Sequence, residues 1–139
     1  MKKIWITLLI FSFLQSLSAQ ERLRERFLMQ KKEFVIKRIE LNAEQQKKFP
    51  AFYEEYIFKL ADVQKQIRQL KIEAAMLSLS DAEINADIDK MLKLKQQELD
   101  LQKEYITKFR AILTPKQMIA MFRAEREFLR VALRALKDD

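Results

Sequence analysis

Along the last stretch of the chain, Arg123, Arg126, Arg130, Arg134 and Lys137 follow one another at intervals of three, four, four and three residues. At about 100° per residue, helical geometry gathers these five cations into an arc of about 80°. Arg126, Arg130 and Arg134 are like charges at successive i, i+4 steps, and each step costs a helix a few tenths of a kcal/mol. Solvated faces elsewhere in the chain alternate sign instead, as at Glu55/Lys59, Asp89/Lys93 and Glu104/Lys108. A one-signed arc suits the capture of acidic groups on another molecule, so Arg123, Arg126, Arg130 and Arg134 are the candidate contact residues.

Catalytic chemistry has little to work with. The 139 residues include no Gly, no Cys and no His. Without Gly there is no phosphate-cradling loop, dinucleotide fingerprint or nucleophile elbow. Without His or Cys there is no Ser-His-Asp triad, no thiol nucleophile and no ordinary zinc site. Carboxylates such as Asp87, Asp89, Glu98 and Asp100 can bind hard cations or move protons, but on exposed helices they are solvated by default, and no loop is present to desolvate them. The expectation is a protein that is not an enzyme and has no catalytic residue, metal or cofactor.

The first residues carry a different signal. Met1-Lys2-Lys3 is followed by the apolar run Ile4–Leu14 and then by Gln15-Ser16-Leu17-Ser18-Ala19. A basic start, a short apolar stretch and small residues form the layout of a secretory signal peptide, here expected over 1–19 with cleavage near Ala19, or alternatively after Ser18. Eleven apolar residues make about 16 Å of helix against a hydrocarbon core of about 30 Å, so stable membrane insertion is not expected. Periplasmic export is the expected destination, with 20–139 as a single domain. That domain has 25 basic and 20 acidic residues, a net charge of 25 − 20 = +5. In that compartment the charge faces proteins, lipid head groups or polyanions and not nucleic acid.

Positioning the arc is the work of helices. The body is rich in Leu, Lys, Gln, Glu, Ala, Arg and Met, which favour helix. Three helix starts stand out. Ser80 and Glu83 form a capping box, with Leu79 and Ile84 as its staple. Thr114 and Gln117 form another, with Pro115 at the first helical position and Leu113 facing Met118. Asn42 and Gln45 form the third, with no staple. Four helices follow, at about 22–40, 43–77, 81–112 and 115–136. The second carries two interleaved seven-residue series, Phe49, Tyr56, Val63, Leu70, Leu77 and Tyr53, Leu60, Ile67, Ala74, a coiled-coil-like stripe that Pro50 loosens without ending it. The third is expected to bury Ile84, Ile88, Leu92, Leu99, Ile106, Phe109 and Leu113, the fourth Met118, Phe122, Leu129, Ala132 and Leu136. Of the aromatics Phe49, Phe52, Tyr53, Tyr56 and Phe58, most are expected in core or dimer packing. Helices two and three are too long for a globule of this size, so the fold class is all-α, with a long central antiparallel hairpin that pairs with a second copy.

The pentapeptides Leu41-Asn42-Ala43-Glu44-Gln45 and Leu113-Thr114-Pro115-Lys116-Gln117 repeat a Leu-Thr-x-x-Gln pattern 72 residues apart, with Asn42 keeping the capping role of Thr. In an exported, basic, all-helical chain this resembles the Spy/CpxP family of periplasmic proteins over about residues 35–130. The resemblance implies a four-helix protomer that dimerises into an elongated curved cradle. It also implies an ATP-independent, holdase-type chaperone that binds unfolded or partly folded envelope proteins. The alternative within the family is an envelope-stress regulator that binds a sensor kinase or an anti-sigma/sigma-factor partner. Leu41, Asn42, Gln45, Leu113, Thr114 and Gln117 are the motif residues, read here as helix caps, and Arg123, Arg126, Arg130 and Arg134 as client contacts.

Overall fold

The three marked helix starts form as their residues dictate. The Glu83 amide donates to Ser80 Oγ while the Glu83 carboxylate accepts from the Ser80 amide, a reciprocal box. The Gln45 amide donates to Asn42 Oδ1 at 2.9 Å, and the Asn42 amide donates to Gln45 Oε1 at 3.0 Å. The Thr114 amide donates to Gln117 Oε1 at 2.9 Å, and the Gln117 amide reaches Thr114 Oγ1 at 3.3 Å. Each box satisfies donors that the first helical turn leaves without intrahelical partners.

In this computed structural model, residues 2–76 and 78–138 are described, with side chains described for 17–75 and 78–137. The helices are α1 (Lys2–Arg38), α2 (Ala43–Met76), α3 (Asp81–Arg110) and α4 (Pro115–Asp138). The described residues are all-α with four helices, as expected. Helix α1 begins far earlier than residue 22 and passes Ala19 unbroken. Helix α2 runs on through Pro50. No helix among the described residues is long and apolar enough to cross a membrane.

The 34 residues of α2 make about 51 Å of helix, and α3 returns alongside it as the second arm of a hairpin. Phe49, Tyr53, Tyr56, Leu60, Val63, Ile67 and Leu70 are all buried, so the two seven-residue series do face the core. Ala74, at the far end, is exposed, and Leu77 lies outside the described residues. Phe52 and Phe58 pack against the same core while half-exposed, so all five aromatics of α2 are engaged within the protomer. Helix α1 lies antiparallel to α2, held by Lys32–Glu54, Arg24–Asp62 and Lys65–Glu21. Helix α4 lies against α1, where the Phe128 ring sits 5.1 Å from Phe27 and 5.4 Å from Phe34.

The third helix corrects the sequence reading. Phe109 and Leu113 are buried as expected and Ile106 is half-buried, but Ile84, Ile88, Leu92 and Leu99 are exposed, and Leu94 and Tyr105 take the core face instead. The buried face is centred about a quarter of a turn round from the Ile/Leu stripe. Only α2 covers most of α3, and one neighbour can cover only one side. On α4, Met118 is buried as expected, but Phe122, Leu129 and Leu136 are exposed, and Met121, Ala124 and Phe128 take the core face.

Burial is concentrated at the end of the hairpin where the four helices meet. Between Leu70 and Leu94 no described side chain is buried. The accessible surface, 10954 Å², exceeds the roughly 7,600 Å² of a globular monomer of this mass. The protomer is thin and leaves apolar surface uncovered.

Candidate functional site

The two motif pentapeptides meet. Gln45 Nε2 donates to Gln117 Oε1, and Gln117 Nε2 donates to Gln45 Oε1, both at 2.8 Å. The second hydrogen of Gln45 Nε2 goes to the Ile112 carbonyl at 2.9 Å, and that of Gln117 Nε2 to the Glu40 carbonyl at 2.6 Å. Each side-chain oxygen also accepts its own cap amide, so every polar atom of both carboxamides is used. This clasp ties the end of α1, the start of α2, the end of α3 and the start of α4. Gln45 is buried, as is Leu113, with Leu41 packed against the core, while Asn42 and Thr114 are exposed. The caps exist as the sequence indicated. Their pairing across 72 residues was missed, although two glutamines at the same place in a repeated motif were the available signal.

A second junction forms around Glu125. The Tyr53 hydroxyl donates to Glu125 Oε1 at 3.0 Å, and Lys31 Nζ stands 3.6 Å from the same oxygen. Burial of Tyr53, reinforced by the negative charge of Glu125, pushes its phenol far above the ordinary value, so it remains a donor. Helices α1, α2 and α4 thus converge on one carboxylate.

Beside that carboxylate a groove of about 870 Å³ opens between α1, α2 and α4. Phe27, Leu28, Ile57, Leu60, Phe122 and Phe128 supply apolar lining, and Arg24, Lys31, Arg68 and Arg126 supply cations against the single acid Glu125. Arg24 and Lys31 have acidic partners within the chain. Arg68 and Arg126 make no ion pair or hydrogen bond among the described residues. Sequence reasoning missed the groove because it assigned no face to α1, although Arg24, Phe27, Leu28 and Lys31 recur at helical spacing.

The basic arc adjoins this groove through Arg126. Arg123, Arg126, Arg130 and Arg134 are all exposed and line one shallow depression with Glu127 and Val131. Glu127, one turn from Arg123, is taken by Arg38 of α1 through Nε at 3.0 Å and Nη2 at 3.2 Å. The Arg38 hydrogen bonds hold the Glu127 carboxyl below its ordinary value, and the charge of Arg130 adds to the effect. None of the four arginines has a hydrogen bond or ion pair among the described residues, so their charges are available to another molecule.

Of the acidic residues singled out in the sequence, Glu98 and Asp100 have partners within the chain. Glu98 accepts from Gln64 and Lys95, both at 2.9 Å, and the Gln64 hydrogen bond leads in lowering its carboxyl below the ordinary value. Asp100 accepts from Gln96 at 2.8 Å. Among the described residues no group of three or more metal-ligating side chains comes together.

No protein-family model, curated protein or solved structure matches the chain. The site therefore rests on its own chemistry: an open apolar groove, rimmed by cations and continuous with an unpaired arginine surface.

Proposed function

We propose that this chain is a periplasmic, ATP-independent chaperone of the holdase type, similar to the Spy/CpxP proteins, and that its activity is binding and not catalysis. The observation that carries the reading is the groove joined at Arg126 to four exposed arginines that make no hydrogen bond or ion pair among the described residues. Partly folded proteins expose apolar side chains and charge together. A shallow surface offering both makes many weak contacts without demanding one geometry. Electrostatic attraction raises the rate of encounter, and apolar burial holds what has been captured.

The test is suppression of aggregation for several unrelated clients at near-stoichiometric ratios. Exposed ion pairs contribute about 0.2–1 kcal/mol each, so replacing Arg123, Arg126, Arg130 and Arg134 with Gln should weaken capture roughly fourfold or more at low salt. Wild-type capture should fall as salt rises, because charges more than about 8 Å apart are screened at physiological ionic strength. The quadruple variant should start lower and respond to salt more weakly. Equal capture and equal salt slopes for the two proteins would reduce the arc to solvated surface.

The proposal includes a homodimer. Ile84, Ile88, Leu92 and Leu99 form an exposed apolar stripe on α3, along the part of the hairpin where burial is sparse. A second copy is the natural cover for such a face. Sedimentation should give a dimer for the wild type and a monomer for Ile88→Lys combined with Leu92→Lys, with helix content unchanged. A wild type that sediments as a monomer at micromolar concentration would remove this part of the proposal.

A further inference from the structure

The groove has the dimensions of a small-molecule site. Its volume of about 870 Å³ falls within the roughly 300–1,000 Å³ of such sites. Along α2 its lining runs from Ile57 to Arg68, which is about 16 Å of helix. A helix about 10 Å across laid over that length would occupy on the order of 1,200 Å³, more than the groove holds. A helical protein segment therefore rests there on one face only, whereas a single extended acyl chain, much thinner, enters whole.

The lining has two chemical parts. Phe27, Leu60, Phe122 and Phe128 form an apolar track. Arg68 and Arg126 stand at the groove as exposed cations with no acidic partner among the described residues. Arg24 adds a third feature. Its two Nη atoms are taken by Glu21 and Asp62, but its Nε is buried and has no acceptor. A buried donor without an acceptor is costly, and a bound acceptor relieves the cost. Apolar track and unneutralised guanidinium groups are the two halves of an amphiphile's complement, and the planar guanidinium fork matches a carboxylate in particular.

We infer that this groove binds a long-chain fatty acid, its tail along Phe27, Leu60, Phe122 and Phe128 and its carboxylate at Arg68, on the side of the groove where Arg24 meets Asp62. The inference does not depend on chaperone activity, and its test contains no client protein.

Full-length protein titrated with hexadecanoate and dodecanoate below their micellar concentrations, by displacement of a fluorescent fatty acid, should bind one ligand per chain. Affinity should fall about fourfold for each methylene removed from the tail. The acid should bind about tenfold more tightly than the alcohol of equal length, because charge-assisted hydrogen bonds replace neutral ones. Arg68→Gln should bring the acid down to the affinity of the alcohol without changing that of the alcohol, whereas Arg126→Gln, at the other end of the groove, should leave both unchanged. Both arginines are exposed and make no ion pair among the described residues, so the melting temperature of either ligand-free variant should match wild type. Phe122→Glu, also at an exposed position, should abolish binding of both ligands. Three results would each overturn the inference: equal affinity for acid and alcohol; uptake that never saturates at one ligand per chain, as for a detergent; or a wild-type dimer that Phe122→Glu dissociates, which would make the groove an interface between copies.

Discussion

Phe109→Ala should lower the unfolding free energy by about 3–5 kcal/mol, the range for deleting a fully buried aromatic ring. The Phe109 side chain is 0% exposed, and its ring stands 5.3 Å from Phe49, 5.5 Å from Tyr56, 6.0 Å from Tyr105 and 6.2 Å from Tyr53. It is the one residue of α3 that touches all three buried rings of α2. Truncation leaves a cavity walled by rings on a rigid hairpin, which has little freedom to collapse into it. The melting temperature should fall by roughly 10 °C or more, since about 1 kcal/mol moves a domain of this size by several degrees. Leu92→Ala on the same helix, at a side chain 65% exposed, should stay within about 0.5 kcal/mol of wild type. Thermal unfolding followed by circular dichroism compares the two directly. Similar costs for both would mean that α3 turns a different face to α2.

Gln45→Ala should cost about 2–4 kcal/mol, more than any single cap. Removing this carboxamide leaves the Asn42 amide, the Ile112 carbonyl and half of the Gln117 amide without their partners, and a fully buried unsatisfied group costs about 1–3 kcal/mol, less where water reaches these part-buried groups. Thr114→Ala removes a single bond at 3.3 Å and should cost about 0.5–2 kcal/mol. Gln117→Ala should resemble Gln45→Ala, and the double variant should cost less than the sum of the two by about 0.5–3 kcal/mol, the coupling of residues in one network. Denaturant unfolding of the four variants settles the order. A Gln45→Ala cost no greater than that of Thr114→Ala, with additive glutamines, would show that the motifs are two separate caps.

The helices were legible because their signals are local. Ser80, Asn42 and Thr114 each act on an amide three residues away, and no tertiary context is needed to see it. The face of α2 was legible too, because its two seven-residue series carry nearly all of its apolar residues. Helix α3 defeated the same reasoning. It carries an Ile/Leu stripe and a neighbouring face of Leu94 and Tyr105 that meets it at Phe109, and periodicity reveals apolar faces without saying which one a neighbour covers. For α1 the expected division at Ala19 followed a change in composition, whereas nothing near Ala19 breaks a helix. The clasp was illegible for another reason. Gln45 and Gln117 fully explain themselves as partners of Asn42 and Thr114, and only the fold brings one amide to the other. The arginine arc was visible as a spacing, but its freedom from partners depended on Arg38, 89 residues from Glu127, taking the acid that would have neutralised it.

The sparse burial between Leu70 and Leu94 separates reach from stability. The aromatic cluster and the glutamine clasp sit at one end of the hairpin, and the chain reversal sits at the other. Deleting one heptad from each arm near the reversal would shorten the molecule by about 10 Å while leaving facing residues in register. Nothing in the packed end would register the change. The distal arms are therefore a spacer, whose length can be changed by whole heptads while the anchoring end stays fixed.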